Sequence, residues 1–507
     1  MAQNTAQNTT PAASPPLSGQ LPNLGDGSDL TPSNERRMGD RIARELYRDP
    51  DYIDDAVLGE YVSGIWQPLL AAARLRGELN AELDERFVWE ILMGRDRTVN
   101  AFALPGGYFG LHLGLVAVVS NRDELASVLG HELSHVTQRH ISRLISKQGA
   151  QTPWLVGAMI LGALAASKSP DAANALIVGG QAVAAQNQLN FSRDMEREAD
   201  RIGFGVMTQA GFEAQGFVTM FDKLAAASRL NDSGSFPYLR SHPLTTERIA
   251  DMQSRQPPGA ARTPLPVQTL EHAMLAARAK VLSDASVDAL RAWANLASPA
   301  GSGGFAALDA PRQAGILYGA AMAAQRLRDA SAMAALQARL EALARADDRA
   351  GRLTRLLAAE LALAGGDPLK ALMALAALPP SQAAAGRPEL LLLAQAQVRT
   401  GAAKEAAQAL QTWVATHPRD AQAWQLLSSA QAALGQRLGA IRSDAESRVA
   451  QLDYAGAQDR FKAAQELVRE LARSGRANGT ADDIEASIID TRTRQNALLL
   501  REQAVER

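Results

Sequence analysis

The chain has 507 residues, 47% of them hydrophobic and 21% charged, with a formal net charge of −2. That length accommodates roughly two to four domains, and the near-neutral balance gives no electrostatic case for nucleic acid or anionic lipid as a partner. With no cysteine, disulfide frameworks, thiolate zinc sites and cysteine nucleophiles are excluded.

Residues 1–31 are rich in Gln, Asn, Thr, Pro and Gly and predict a disordered segment. They lack the basic start and apolar core of a signal peptide. The segment reads either as the end left after a leader was removed or as a flexible tail. Over 32–254 the pattern is mixed. Ser33, with Glu35 in the first turn, predicts a helix start, and helical periodicity continues through "DDAVLGEYVSGIWQPLLAAARL". The stretches "RFVWEILMG" and "VNAFALPGGYFGLHLGLV" then predict strand, Pro-Gly-Gly turn, strand. Ser120 as N-cap and Asp123 at the third position predict another helix, on which Leu125, Val128, Leu129, Leu133 and Val136 keep a helical period. The longest apolar run, 153–166, is shorter than the about 20 residues that a bilayer crossing needs. It predicts a buried helix or a flap resting on a membrane or a cleft, and no transmembrane span. Residues 255–268 read as a proline-rich linker.

Beyond the linker Ala and Leu dominate, and helix is predicted throughout. Gly366, Gly401 and Gly435 recur at spacings of 35 and 34 residues with small residues on both sides. That period resembles tetratricopeptide repeats, here placed over 269–474. A terminal helix is expected over 475–507.

The stretch "GHELSHVTQRH", 130–140, carries three of the seven histidines. On a helix His135 falls about 40° from His131, one turn along, and Glu132 about 100° away, still bordering that face. His140 falls at about 180°, on the opposite side, and joins the pair only if the helix breaks. His131 and His135 therefore suit a tetrahedral zinc, with Glu132 aimed at the metal's open position as the base for its water. A catalytic zinc needs a third protein ligand. "NFSRDMEREAD", 190–200, offers carboxylates, and spacing alone does not choose between Glu196 and Glu198. Glu196 and Asp200 share a helical face, so one could bind metal while the other orients a ligand histidine. The competing reading is a solvated face paired with Arg193, Arg197 and Arg201.

With "GHELSHV", "SRDMEREAD", "SHPLTTERI" (241–249) and "NAFALPGG", the sequence resembles the M48 family of zinc metallopeptidases over about residues 35–260. The resemblance implies a mainly α chain: a zincin-type (gluzincin) α+β protease domain with a small β-sheet, followed by an α-helical tetratricopeptide-repeat solenoid. It implies one zinc ion per chain, held by His131, His135 and Glu196, with Asp200 as the partner of a ligand histidine and Glu198 left as a surface or packing residue. Glu132 would be the catalytic base. His242, in the "HP" loop, would be a fourth ligand that holds the enzyme shut, where residues alone suggest an ordinary turn histidine. Arg248 would face either the developing oxyanion or a buried carboxylate. The region at about 150–190, between the two metal motifs, is expected to be a lid, facing the repeats or making peripheral membrane contact.

The resemblance favours a periplasmic endopeptidase. Its partners would be unfolded, misassembled or stalled outer-membrane polypeptides, joined as an added strand beside "VNAFALPGGYFGLHLGL". The repeats would dock the client or its assembly machinery, as a module removable after about residue 268 with peptidase activity kept. The alternative is a chaperone or scaffold whose zinc site is locked or vestigial.

Overall fold

The computed structural model describes residues 30–147, 192–229, 235–256, 268–297, 304–377, 386–474 and 480–505. The expected disorder at 1–31 (apart from its last two residues), the lid, most of the linker and the Gly/Asn-rich break at 475–479 lie outside them. Within them the chain is mainly helical with one small sheet. No helix among the described residues is long and apolar enough to cross a membrane.

Helix α1 (Pro32–Arg48) starts one residue before the expected cap. Thr31 caps it, accepting from the Asn34 amide at 3.2 Å, because Pro32 suits the first helical position and leaves Ser33 inside the helix. Asp55 caps α2 (Ala56–Leu75) and α3 spans Ala81–Arg86. Strands β1 (Glu90–Gly94), β2 (Ala101–Leu104) and β3 (Tyr108–His112) follow. The order is β1-β3-β2, with β1 parallel and β2 antiparallel to β3. The Pro-Gly-Gly turn is real: Gly106 and Gly107 have φ of 73° and 80°. Their backbones press on Arg36 and Phe87, where a Cβ would come within 2.8 Å.

After α4 (Leu113–Val118) comes α5 (Arg122–Thr137), the helix of the histidine motif. Its N-cap is Asn121 rather than Ser120, accepting from the Glu124 amide at 2.9 Å. Ser120 instead bonds the Glu124 carboxylate through its own amide. Helices α6 (His140–Lys147), α7 (Arg193–Gln209), α8 (Gln215–Arg229), α9 (Tyr238–Ser241) and α10 (Thr246–Ser254) complete the region around it. Leu58, Ile65 and Leu69 of α2, Phe109 and Leu111 of β3, and Leu125, Leu129 and Leu133 of α5 share one buried core.

The remaining helices form successive hairpins: α11 (Leu270–Ser283), α12 (Val287–Ala297), α13 (Ala310–Arg326), α14 (Ala330–Ala344), α15 (Asp348–Ala364), α16 (Pro368–Ala376), α17 (Arg387–Arg399), α18 (Ala403–Thr416), α19 (Ala421–Ala433), α20 (Arg437–Ala450), α21 (Tyr454–Ser474) and α22 (Thr480–Val505). The periodic glycines have one job. Gly366, Gly401 and Gly435 each end the first helix of a hairpin with φ of 81°, 87° and 73°. The next amide reaches back to the carbonyl five residues earlier, as in Asp367 to Ala362 at 2.9 Å and Ala402 to Gln397 at 2.8 Å. Arg328, just after α13, does the same without being glycine.

These hairpins are not detachable. α11 packs on α4, and His272 bonds Tyr61 Oη at 2.6 Å and the Val119 carbonyl at 2.8 Å. Met274, Leu275, Leu317 and Leu356 belong to the same core as α2 and α5. Three arginines repeat one pattern, each joining an acid at α2 to an acid of a later hairpin. Arg278 holds Asp55 and Glu360, both at 2.7 Å. Arg352 holds Glu60 at 2.8 Å and Glu389 at 2.6 Å. Arg387 holds Asp54 at 2.6 Å and Asp420 at 2.8 Å. The expected truncation after about residue 268 would uncover α4 and remove Met274, Leu275, Leu317 and Leu356 from this core. Arg278 and Asp55 are only 6% and 7% exposed, so Arg278→Ala strands a buried carboxylate. It is expected to lower the unfolding free energy by about 3–5 kcal/mol in a denaturant titration, whereas Arg494→Ala, in an exposed pair, should change it by less than about 1 kcal/mol.

Candidate metal centre

Two helices build the site by crossing at glycine. A Cβ on Gly203 of α7 would stand 3.0 Å from the Gly130 carbonyl and from the His131 amide. Only with both side chains missing do the backbones of α5 and α7 come this close. The contact carries His131, one residue past Gly130, to the face of α7 that bears Glu196 and Asp200. Ser192 caps α7, accepting from the Met195 amide.

Four ligand atoms, from His131, His135, Glu196 and His242, converge within 4.8 Å of one another, and all four residues are buried. A tetrahedral zinc with bonds of about 2.0–2.1 Å sets its ligand atoms about 3.3–3.4 Å apart. The spacings here bracket that value. His131 Nε2 lies 2.9 Å from His135 Nε2 and 3.3 Å from His242 Nδ1. Glu196 Oε1 lies 3.1 Å from His242 Nδ1 and 3.5 Å from His135 Nε2, and Glu196 Oε2 lies 3.5 Å from His131 Nε2. Three imidazoles and a carboxylate, gathered out of water, form the donor set that zinc prefers.

The supports are equally specific. Asp200 Oδ1 accepts from His131 Nδ1 at 2.9 Å, which leaves the Nε2 lone pair facing the cage. Arg248 donates to both Asp200 oxygens at 2.6 and 2.8 Å and to the Pro243 carbonyl at 2.7 Å, and pairs with Glu196 at 2.8 Å. Of the two readings of Arg248, the geometry fits the carboxylate partner. It also ties the His242–Pro243 loop to α7. Tyr238, which the sequence did not single out, stacks on His242 with ring centroids 4.6 Å apart and accepts the His242 amide at its carbonyl. Its spacing of one helical turn before His242 was the available signal.

Charge follows this arrangement. Burial works to pull His131 down, but the bonds from Asp200 and Glu196 outweigh it and carry the pKa up to about 9. Burial and the neighbouring His131 hold His135 well below its ordinary value. Burial works to raise Glu196, but His242 and His131 hold its carboxyl well below the usual range. Burial raises Glu132. Glu132 Oε2 accepts the Ala103 amide of β2 at 2.9 Å, and Oε1 faces His242 Nε2 at 3.5 Å.

Two further placements bear on the histidine pair. α5 stops at Thr137, and Arg139 takes a left-handed φ of 53°. The break swings His140 back, so that its Nδ1 lies 2.9 Å from His135 Nδ1. Glu198, expected as a surface or packing residue, is 38% exposed; it lies 2.9 Å from His140 Nε2 and holds Arg143 at 2.9 Å.

The family model "Peptidase family M48" matches residues 71–256. The beta-barrel assembly-enhancing protease of Escherichia coli K12 is 30% identical over 445 residues, 84% of this chain and 83% of its own. A Vibrio cholerae relative is 36% identical over 274 residues, 53% of this chain and 54% of its own. The mitochondrial metalloendopeptidase OMA1 of Saccharomyces cerevisiae is 28% identical over 201 residues, 39% of this chain and 55% of its own.

Because a methyl at Gly203 would stand 3.0 Å from the α5 backbone, Gly203→Ala should destabilise the protein by about 1–3 kcal/mol. The same variant should lose zinc faster than wild type when dialysed against a chelator, read by metal analysis.

Proposed function

The chain belongs to peptidase family M48 and is a zinc metalloendopeptidase; from that premise we propose that it cleaves unfolded or stalled polypeptides, and that His242 holds its site closed until a client arrives. The observation that carries this is the placement of Glu132 between the cage and the β2 edge. His131, His135 and Glu196 would hold the ion. When bound, zinc supplies a Lewis acid that polarises the scissile carbonyl and acidifies the attacking water. Glu132, anchored through Oε2 by the Ala103 amide, takes the proton and passes it to the leaving amine. Burial raises its affinity for that proton, which suits a group that must both accept and return it. Asp200 keeps His131 in the right tautomer, and Arg248 offsets the charge of Glu196 and Asp200.

Strand β2 lies at an edge of the sheet, directly beside Glu132. A substrate paired to that edge must be extended, so a folded domain does not fit. His242 occupies the fourth corner of the cage, where water must bind. Its loop is held by Arg248 and Tyr238, so opening means breaking those contacts. The relatives named as enhancing β-barrel assembly support a periplasmic role on outer-membrane proteins, with the repeat hairpins docking the client or its assembly machinery. The closed corner also favours a second reading, a scaffold or chaperone whose zinc is locked.

Casein hydrolysis separates the two. Glu132→Gln should keep its zinc and lose about 10²–10⁴-fold in rate, and His242→Ala should hydrolyse faster than wild type. Equal rates for wild type and Glu132→Gln would establish the scaffold reading. A client offered folded and unfolded should be cut only when unfolded; equal rates would remove the edge-strand mode.

A further inference from the structure

His140 is fully buried and has no part in the reaction above. We propose that His140 and Glu198 are positioning residues that orient the metal ligand His135, as Asp200 orients His131; this rests on the zinc-site reading. The bonding pattern is consistent with His135 offering a lone pair to the metal. A carboxylate only accepts, so His140 Nε2 carries the proton that bonds Glu198 Oε2 at 2.9 Å. Neutral His140 then offers a lone pair at Nδ1, 2.9 Å from His135 Nδ1. His135 must donate there, which leaves its Nε2 lone pair toward His131 Nε2 and Glu196 Oε1, into the cage. Each α5 ligand thus has its tautomer fixed from behind, His131 by a carboxylate directly and His135 by a carboxylate through an imidazole.

The fold takes trouble to make this contact. Had α5 continued, His140 would point about 180° from His131. Arg139 instead adopts a backbone conformation that L-residues rarely hold. Its guanidinium is fastened to Glu35 at 3.1 Å and to the Leu30 carbonyl. Glu35 is 1% exposed and comes from α1, 104 positions earlier. On the far side, Arg143 of α6 holds Glu198 at 2.9 Å, so the carboxylate is aimed as well. Without its acceptor, His135 could turn its ring or carry its proton on the nitrogen that must face the metal.

The test is zinc affinity, measured on the full chain by competition with a chromophoric chelator. His140→Leu should bind zinc about 10–100-fold more weakly than wild type. His140→Asn, whose amide oxygen replaces the Nδ1 acceptor, should recover most of that loss. Glu198→Ala alters a side chain that is 38% exposed, so it folds even if His140→Leu does not, and it should weaken zinc about tenfold. Wild-type affinity in both His140→Leu and Glu198→Ala overturns the inference. So does a drop in melting temperature that is equal in apo and zinc-loaded forms with affinity unchanged, which marks a purely structural role. A wild type that takes up no zinc overturns the metal-site reading beneath it, a result distinct from zinc-replete wild type with unaffected variants.

Discussion

Everything in the catalytic region follows from two helices touching backbone to backbone at Gly130 and Gly203. Ordinary helix packing keeps axes about 8–10 Å apart through their side chains. Glycine at both contact points removes that spacer. The histidines of α5 then meet the acids of α7 at bonding distance rather than across a layer of leucines. The close approach also drives water out, and so makes every charge in the site costly unless it is paired. Glu132, Glu196, Asp200 and Arg248 are all nearly inaccessible. Arg248 shares itself between Asp200, Glu196 and Pro243, and the ligand set is completed by a cation.

The same crossing sorts the candidate ligands into those on helices and one on a loop. His131, Glu196 and Asp200 sit on the two crossed helices. His242 sits on the short segment between α9 and α10, fixed by a stacked tyrosine and one arginine. Displacing His242 from its corner moves a loop rather than a helix. Of the four candidate ligands, His242 alone sits off the two crossed helices.

The repeat hairpins extend this frame. In many solenoids each unit contacts only its neighbours. Here Arg278, Arg352 and Arg387 each bond an acid on a later hairpin and another at α2. α2 in turn lies in the core with α5. The repeat hairpins are thus packed continuously with the helix that carries the candidate metal ligands.

Local order was legible in the sequence because its causes are local. The helical period of Leu125, Leu129 and Leu133 and the one-turn spacing of His131 and His135 are set by the residues themselves. So are the Pro-Gly-Gly turn and the 34–35-residue glycine rhythm. Helix caps were off by two residues and by one, since Thr31 with Pro32 and Asn121 are better terminators than the nearby Ser33 and Ser120. Which acid of 194–200 meets the metal was beyond spacing alone, because Glu196 and Glu198 differ only in which way α7 rolls against α5. Only the tertiary structure decided the rest. Arg139 breaks the helix because an acid from α1 holds it there, and that break turns His140 from the far face to the back of His135. A helix continues by default from its own sequence; a charge arriving from 104 positions away is what stops it.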